Sequence, residues 1–251
     1  MQTAESAFGI RKQSACCLLT GVATIHFMKR FTLLLASFMP LFSGLSGFGA
    51  DTNHNYARWE KDIAAFEQSD RTNPPPKGAV LFVGASSIRR WTTLARDFPE
   101  HRVINRGFGG SEIADSTYFA DRIIFPYQPR MVFLRAGGND LATGKSPETV
   151  FNDFKDFVAK VSAKLPDADI VFVSQNPSLA RWKQADKEKT LNKLVADFIQ
   201  GKPHLKYIEI YDMVLGADGQ PRAELFVEDK LHFNAAGYKL LAERVRPFLP
   251  K

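Results

Sequence analysis

Five short apolar runs, separated by segments with helical periodicity, set the tightest limit on how this chain can fold. The runs are "AVLFVG" (79–84), "RVIN" (102–105), "MVFLRAG" (131–137), "DIVFVS" (169–174) and "KYIEIYD" (206–212). They read as buried strands. Between them, Val150, Phe154, Phe157 and Val161 recur at helical spacing in 147–164. Leu191, Leu194, Val195 and Phe198 do the same in 181–200, and Tyr238, Leu241 and Val245 in 234–248, where Asn234 stands as the N-cap. A further helix is expected at about 55–68, joined to the first strand by the stiff connector "NPPPKG" (73–78). Apolar strands alternating with helices predict an α/β domain with a parallel sheet covered on both faces.

A chain of 251 residues is long enough for one sizeable core, and its 45% hydrophobic and 24% charged residues are those of a globular protein. The net charge of +6 raises the question of an acidic partner, yet part of the excess lies in the first fifty residues. Without them 29 basic residues face 26 acidic ones, and the basic residues are scattered, so a nucleic-acid partner is not expected.

The N-terminus reads as a targeting segment. Met28-Lys29-Arg30 is a short positive region, Phe31 to Leu45 an apolar stretch broken by Pro40, and "GLSGFGA" a run of small residues before Asp51. The apolar part is too short to span a bilayer, so a cleavable export signal is expected within a leader of residues 1–50, with translation starting at Met28. A single domain then fills 51–251. Both cysteines, Cys16 and Cys17, fall in the leader, which excludes a disulfide framework, a thiolate nucleophile and a Cys-based metal site. With no His pair at ligand spacing, neither metal nor cofactor is expected.

In parallel α/β folds, functional groups gather at the C-terminal ends of the strands. Four loops there carry chemistry: Gly84-Ala85-Ser86-Ser87, "NRGFGGS" (105–111), "GGND" (137–140) and "DKLHFN" (229–234). Taken alone, each reads as a helix cap or a tight turn. Together they supply what acyl transfer needs: a hydroxyl, a base with a carboxylate partner, and donors where oxyanion charge develops. Of the five histidines only His232 sits in such a loop beside a carboxylate, Asp229. The loop alone does not say which of Ser86 and Ser87 would react.

The order Gly-x-Ser, Gly-Gly, Gly-x-Asn-Asp and Asp-x-x-His, running from about residue 79 to 248, resembles the SGNH (GDSL-type) hydrolases. The resemblance implies a flavodoxin-like three-layer α/β/α sandwich around a five-stranded parallel sheet, and a serine esterase or acetylhydrolase needing no cofactor. It implies Ser86 as nucleophile, with Ser87 as the helix cap, and Asp229 and His232 as the rest of a triad. It also implies an oxyanion hole from the N–H groups of Ser86 and Gly110 and the amide of Asn139. The chain departs from the family pattern at Ala85 and Ser111, where acids are usual. The hydrogen bonds that orient the oxyanion loops must therefore be made differently. Arg135 and Arg106 fall near the site, as salt-bridge residues or as contacts to an acidic or sugar-bearing substrate. Loops 106–120 and 174–186, the latter with Trp182, are expected to set substrate choice. The expected function is that of an exported esterase acting on short acyl esters, possible carbohydrate acetates included. A glycan-binding or acyl-transferring relative and a flavodoxin-like phosphate binder are the competing readings, though no phosphate-cradling G-x-x-x-x-G-K-[ST] spacing is present.

Overall fold

The computed structural model describes residues 54–251, so the leader expected over 1–50 lies outside the described residues. All five expected strands form: β1 (Val80–Gly84), β2 (Val103–Gly107), β3 (Met131–Arg135), β4 (Asp169–Val173) and β5 (Leu205–Ile208). In chain order the helices are α1 (Glu60–Thr72), α2 (Ser86–Arg89), α3 (Leu94–Asp97), α4 (Ile113–Tyr118), α5 (Ala120–Ile123), α6 (Gly138–Ala142), α7 (Pro147–Lys164), α8 (Ala185–Ile199) and α9 (Ala235–Val245). The strands pair in parallel in the order β2-β1-β3-β4-β5. From β1 the chain steps outward to β2 and then back past β1 to β3. The direction of winding thus reverses at β1 and β3, and such a reversal opens a crevice at the C-terminal strand ends.

Alternation along each central strand feeds two apolar layers. Leu81, Val83, Val132, Leu134, Ile170 and Phe172 face α1, α4, α5, α7 and α8, whereas Val80, Phe82, Phe133, Val171 and Val173 face α2, α3 and α9. On the second face Phe82 stacks on Phe133 with ring centroids 4.4 Å apart and meets Trp91 edge-on. Local chemistry marks the long helices. The Ser146 hydroxyl accepts from the Thr149 N–H at the start of α7, Pro147 fills the first turn, and Lys164 lies in the last. Val150, Phe154, Phe157 and Val161 form its buried stripe, as the periodicity predicts.

Boundaries depart from expectation where a side chain captures the backbone. β5 stops at Ile208 rather than running to 212, because the Ser174 hydroxyl accepts from Ile210 N–H and the Glu209 carboxylate from Tyr211 N–H. β3 stops at Arg135, two residues early, because Gly137 at φ +121 turns the chain into α6. β2 runs on to Gly107, two residues further than expected. The helix expected over 181–200 begins only at Ala185, after a 3-10 turn over Leu179–Gln184.

A buried polar knot ties α4 to α6 and α7. Lys145 bridges Glu112 (2.9 Å) and Asp153 (2.8 Å), His54 meets Asp115 at 2.8 Å, and Asp140 accepts from the Ile113 N–H at 3.1 Å. The second oxygen of Asp140 is buried without a hydrogen-bond partner among the described residues. Burial pushes its carboxyl up to about 7, the Ile113 N–H working the other way. The folded protein therefore holds this proton more tightly than the unfolded chain does. Asp140 contributes stability at low pH that is lost as pH rises from about 4 to about 7. Asp140→Asn is expected to flatten that decline, so urea midpoints measured from pH 5 to 8 fall less steeply than in the unaltered protein.

Candidate active site

β1 leads straight into the first feature of the site. Gly84, at φ +137, lets the chain turn out of the sheet; Ala85 is extended, and α2 begins at Ser86. The first N–H groups of a helix have no intrahelical acceptor, so the N–H of Ser86 is left free to donate. The helix is held against β2, where the Asn105 amide donates to the Ile88 carbonyl at 2.7 Å and Gly107 leaves room for the backbone of Arg89. Ser87 is not the helix cap expected from the sequence. The cap position is Ala85, with no side-chain cap bond, and Ser87 lies inside the helix, its carbonyl accepting from Tyr238 Oη at 2.9 Å.

The loop before α9 brings Asp229 and His232 to this turn. Asp229 Oδ1 accepts the N–H of Leu231 and of His232, each at 2.9 Å, while Oδ2 lies 2.7 Å from His232 Nδ1. The other ring nitrogen, Nε2, is 2.8 Å from Ser86 Oγ. Burial pulls the Asp229 carboxyl upward, but the two backbone N–H groups and the imidazole outweigh it and hold it well below the usual range. The carboxylate is thus ionised at neutral pH, and it fixes the ring with Nδ1 as donor and Nε2 as acceptor. The loop is pinned at both ends. Val227 N–H donates to the His232 carbonyl at 2.8 Å, and Asn234 caps α9 through the N–H groups of Ala236 and Gly237.

The third and second loops meet at Asn139. Its Nδ2 donates to the Ser111 carbonyl at 2.9 Å, using one of two amide hydrogens, and its Oδ1 accepts from Arg181 Nη2 at 3.0 Å. Arg181 Nη1 also donates to the Gly138 carbonyl at 3.1 Å. Ser111 is fully buried, its hydroxyl turned back to the Phe108 carbonyl. Gly110, at φ +79, packs against Trp59.

A cavity of about 80 Å³ opens beside Ser86 and His232. Asn139 and Arg135 line it, whereas Gly110 and Asp229 do not: Gly110 reaches the site through Ser111, and Asp229 through the imidazole. Arg106 points away, pairing with Asp70 and donating to Tyr127 Oη, which is the salt-bridge role. The 174–186 segment does wall the cavity, but through Gln175, Asn176, Ser178 and Arg181 rather than Trp182, which is a partly exposed residue outside the lining. Arg181, in the turn before α8, and Glu188, on α8, went unnoticed in the sequence. The one signal pointing to them is that the loop after β4 opens at the same strand ends as the serine.

The comparisons agree with this architecture. A Streptococcus pneumonia protein with a provisional assignment as a platelet activating factor superposes with a TM-score of 0.69 at 19% identity, covering 77% of this chain and 94% of that one. A GDSL-like lipase from Bacteroides thetaiotaomicron gives 0.58 at 18% identity, covering 77% and 96%. An acetylxylan esterase from Geobacillus stearothermophilus gives 0.57 at 13% identity, covering 70% and 96%. No curated protein matches by sequence. At these identities the likeness extends to the fold alone. The model of the GDSL-like lipase/acylhydrolase family matches residues 81–240, which span β1 to α9 and all four loops, and the chain belongs to that family.

Proposed function

We propose that the protein is an exported serine esterase that hydrolyses short-chain acyl esters, acetyl esters of carbohydrates among them. The observation carrying this reading is the unbroken relay from Asp229 through His232 to Ser86, with contacts of 2.7 and 2.8 Å. As Ser86 Oγ bonds to the ester carbonyl carbon, His232 Nε2 takes the hydroxyl proton. The carbonyl oxygen gains negative charge, which the N–H of Ser86 and the second hydrogen of Asn139 Nδ2 meet, Gly110 N–H being a further donor that the family resemblance implies. The imidazolium, stabilised by Asp229, then gives its proton to the leaving alcohol oxygen as the carbon–oxygen bond breaks. Water repeats the sequence on the acyl-enzyme: it yields a proton to His232, its oxygen bonds to the acyl carbon, and Ser86 leaves with the proton returned. The acetylxylan esterase among the structural neighbours acts on acetyl groups. Export rests on the positive and apolar stretch from Met28 to Leu45.

Hydrolysis of p-nitrophenyl acetate tests the reading. Ser86→Ala is expected to lower kcat by about four to six orders of magnitude with the fold retained by circular dichroism. Ser87→Ala, at a residue that lines the cavity but whose hydroxyl is not the one bonded to His232, is expected to stay within a few-fold of the unaltered protein. Equal activity of Ser86→Ala and the parent overturns the assignment, and transfer of acetyl to an added sugar in place of water would mark an acyltransferase.

Arg181 is expected to act through Asn139, fixing which way the amide faces and strengthening its donor. Arg181→Ala should lower kcat by about 10- to 100-fold, somewhat less than loss of an oxyanion donor outright. KM should change little, and Arg181→Lys should recover part of the loss. A change confined to KM would remove Arg181 from this role.

A further inference from the structure

The cavity beside Ser86 holds two arginines, and neither has an ion-pair partner among the described residues. Arg181 is committed to the Gly138 carbonyl and to Asn139. Arg135 is more unusual. It stands at the end of β3, level with Gly84 of β1, and is only 7% exposed. Its Nη1 donates to the Ser174 carbonyl at 3.0 Å and its Nη2 to Asn176 Oδ1, while its guanidinium lies 5.6 Å from the centroid of the Phe233 ring. The Nε–H is buried with no partner. A guanidinium carries five N–H donors, so these two bonds leave donor capacity unused.

A buried charge without a counter-ion is costly, and a protein retains one where something else supplies the opposite charge. Glu188 is the cavity's own carboxyl, and it does not fill that place. It forms an ion pair with neither arginine, accepts from Gln184 Nε2 at 2.8 Å, and leaves its second oxygen buried without a partner. Burial pushes it up to about 7, against the pull of Arg135 and Arg181, so near neutral pH it is only partly ionised. Two arginines against one half-ionised acid leave the cavity positive. The planar guanidinium also suits the two oxygens of a carboxylate.

We infer that the enzyme selects esters bearing a carboxylate close to the scissile bond, held in this cavity by the guanidinium of Arg135. The inference rests on the esterase reading given above and narrows its substrate class from short esters to acidic ones. The carboxylate belongs either to the acyl part, as in a hemiester of a dicarboxylic acid, or to the alcohol part, as in an acetylated hydroxy acid. Both share the same contact.

Two matched pairs separate these sources. The first sets p-nitrophenyl hemisuccinate against its neutral methyl ester, and the second O-acetyl-lactate against methyl O-acetyl-lactate, each corrected for its rate with hydroxide. The carboxylate member of at least one pair is expected to show a kcat/KM about tenfold higher, the scale of one charge-assisted hydrogen bond. In Arg135→Gln that ratio should collapse toward one, and Arg135→Lys should lie between. If Arg135→Gln fails to fold, the ratio in the unaltered protein and in Arg135→Lys carries the test. Equal or poorer turnover of the carboxylate members in both pairs, with p-nitrophenyl acetate still hydrolysed, overturns this inference and leaves the esterase reading standing. If no ester is hydrolysed, the esterase reading fails by itself, and calorimetric titration of the purified protein with monomethyl succinate, which carries a single carboxylate, decides the remainder. Saturable binding weakened in Arg135→Lys upholds the carboxylate site, and no binding overturns it.

Discussion

A β-carbon on Gly84 would lie 2.1 Å from the carbonyl oxygen of Arg135, and one on Gly107 would lie 2.1 Å from the backbone nitrogen of Arg89. These two exclusions shape the whole active end of the sheet. The first lets β1 and β3 stay in register to their last residue while the chain turns outward, with Ala85 N–H still donating to the Arg135 carbonyl at 3.1 Å. The second lets α2 sit directly on β2. Together they compress three strand ends and a helix start into one place, so a serine at that turn faces the crevice rather than the core.

The relay to that serine combines two kinds of contact. Asp229 and His232 are three residues apart, and the carboxylate receives two backbone N–H groups of its own loop. That half is a local turn, which explains how a side chain 41% exposed still holds an imidazole in one orientation. The other half spans 146 residues, from His232 to Ser86, and depends on the packing of α9 against α2. Tyr238 is the brace: its ring stacks on Trp91 with centroids 5.6 Å apart, and its hydroxyl reaches the Ser87 carbonyl. The aspartate–histidine pair is therefore set by sequence neighbours, and its distance to the Ser86 hydroxyl by the core.

This division also accounts for what the sequence conveyed. Strand runs, the stripe of α7 and the Asn234 cap were legible because they repeat at fixed periods or sit at fixed offsets. The four loops were legible because strand ends are where such folds keep their chemistry. Ser87 was misread as a cap because the turn chemistry of Gly-Ala-Ser-Ser fits either serine, and only the extended backbone at Ala85 sets the helix start. The end of β5 was misread because Ser174, 36 residues away from Ile210, takes the N–H that would have continued the strand. Arg181 and Glu188 carry no local signature at all. They reach the cavity because the chain kinks at Arg181, with φ −124, before α8 begins.

At the two departures from the family pattern, Ala85 and Ser111, other groups take over the support. An acid in either place would supply hydrogen bonds to the oxyanion loops; here the loops are held from other directions. The buried Ser111 hydroxyl folds back on its own turn, freeing its carbonyl for Asn139. Asp140 fastens the third loop to the start of α4 through Ile113 N–H, and Arg181 grips the amide of Asn139 from the opposite side. An amide whose oxygen is bound by a cation and whose nitrogen is bound by a carbonyl has one assignment of its two ends, and one hydrogen left to give. Substituting a guanidinium for a carboxylate in that support has a second effect. It adds positive charge beside Ser86, in the same cavity where Arg135 stands without an ion-pair partner among the described residues.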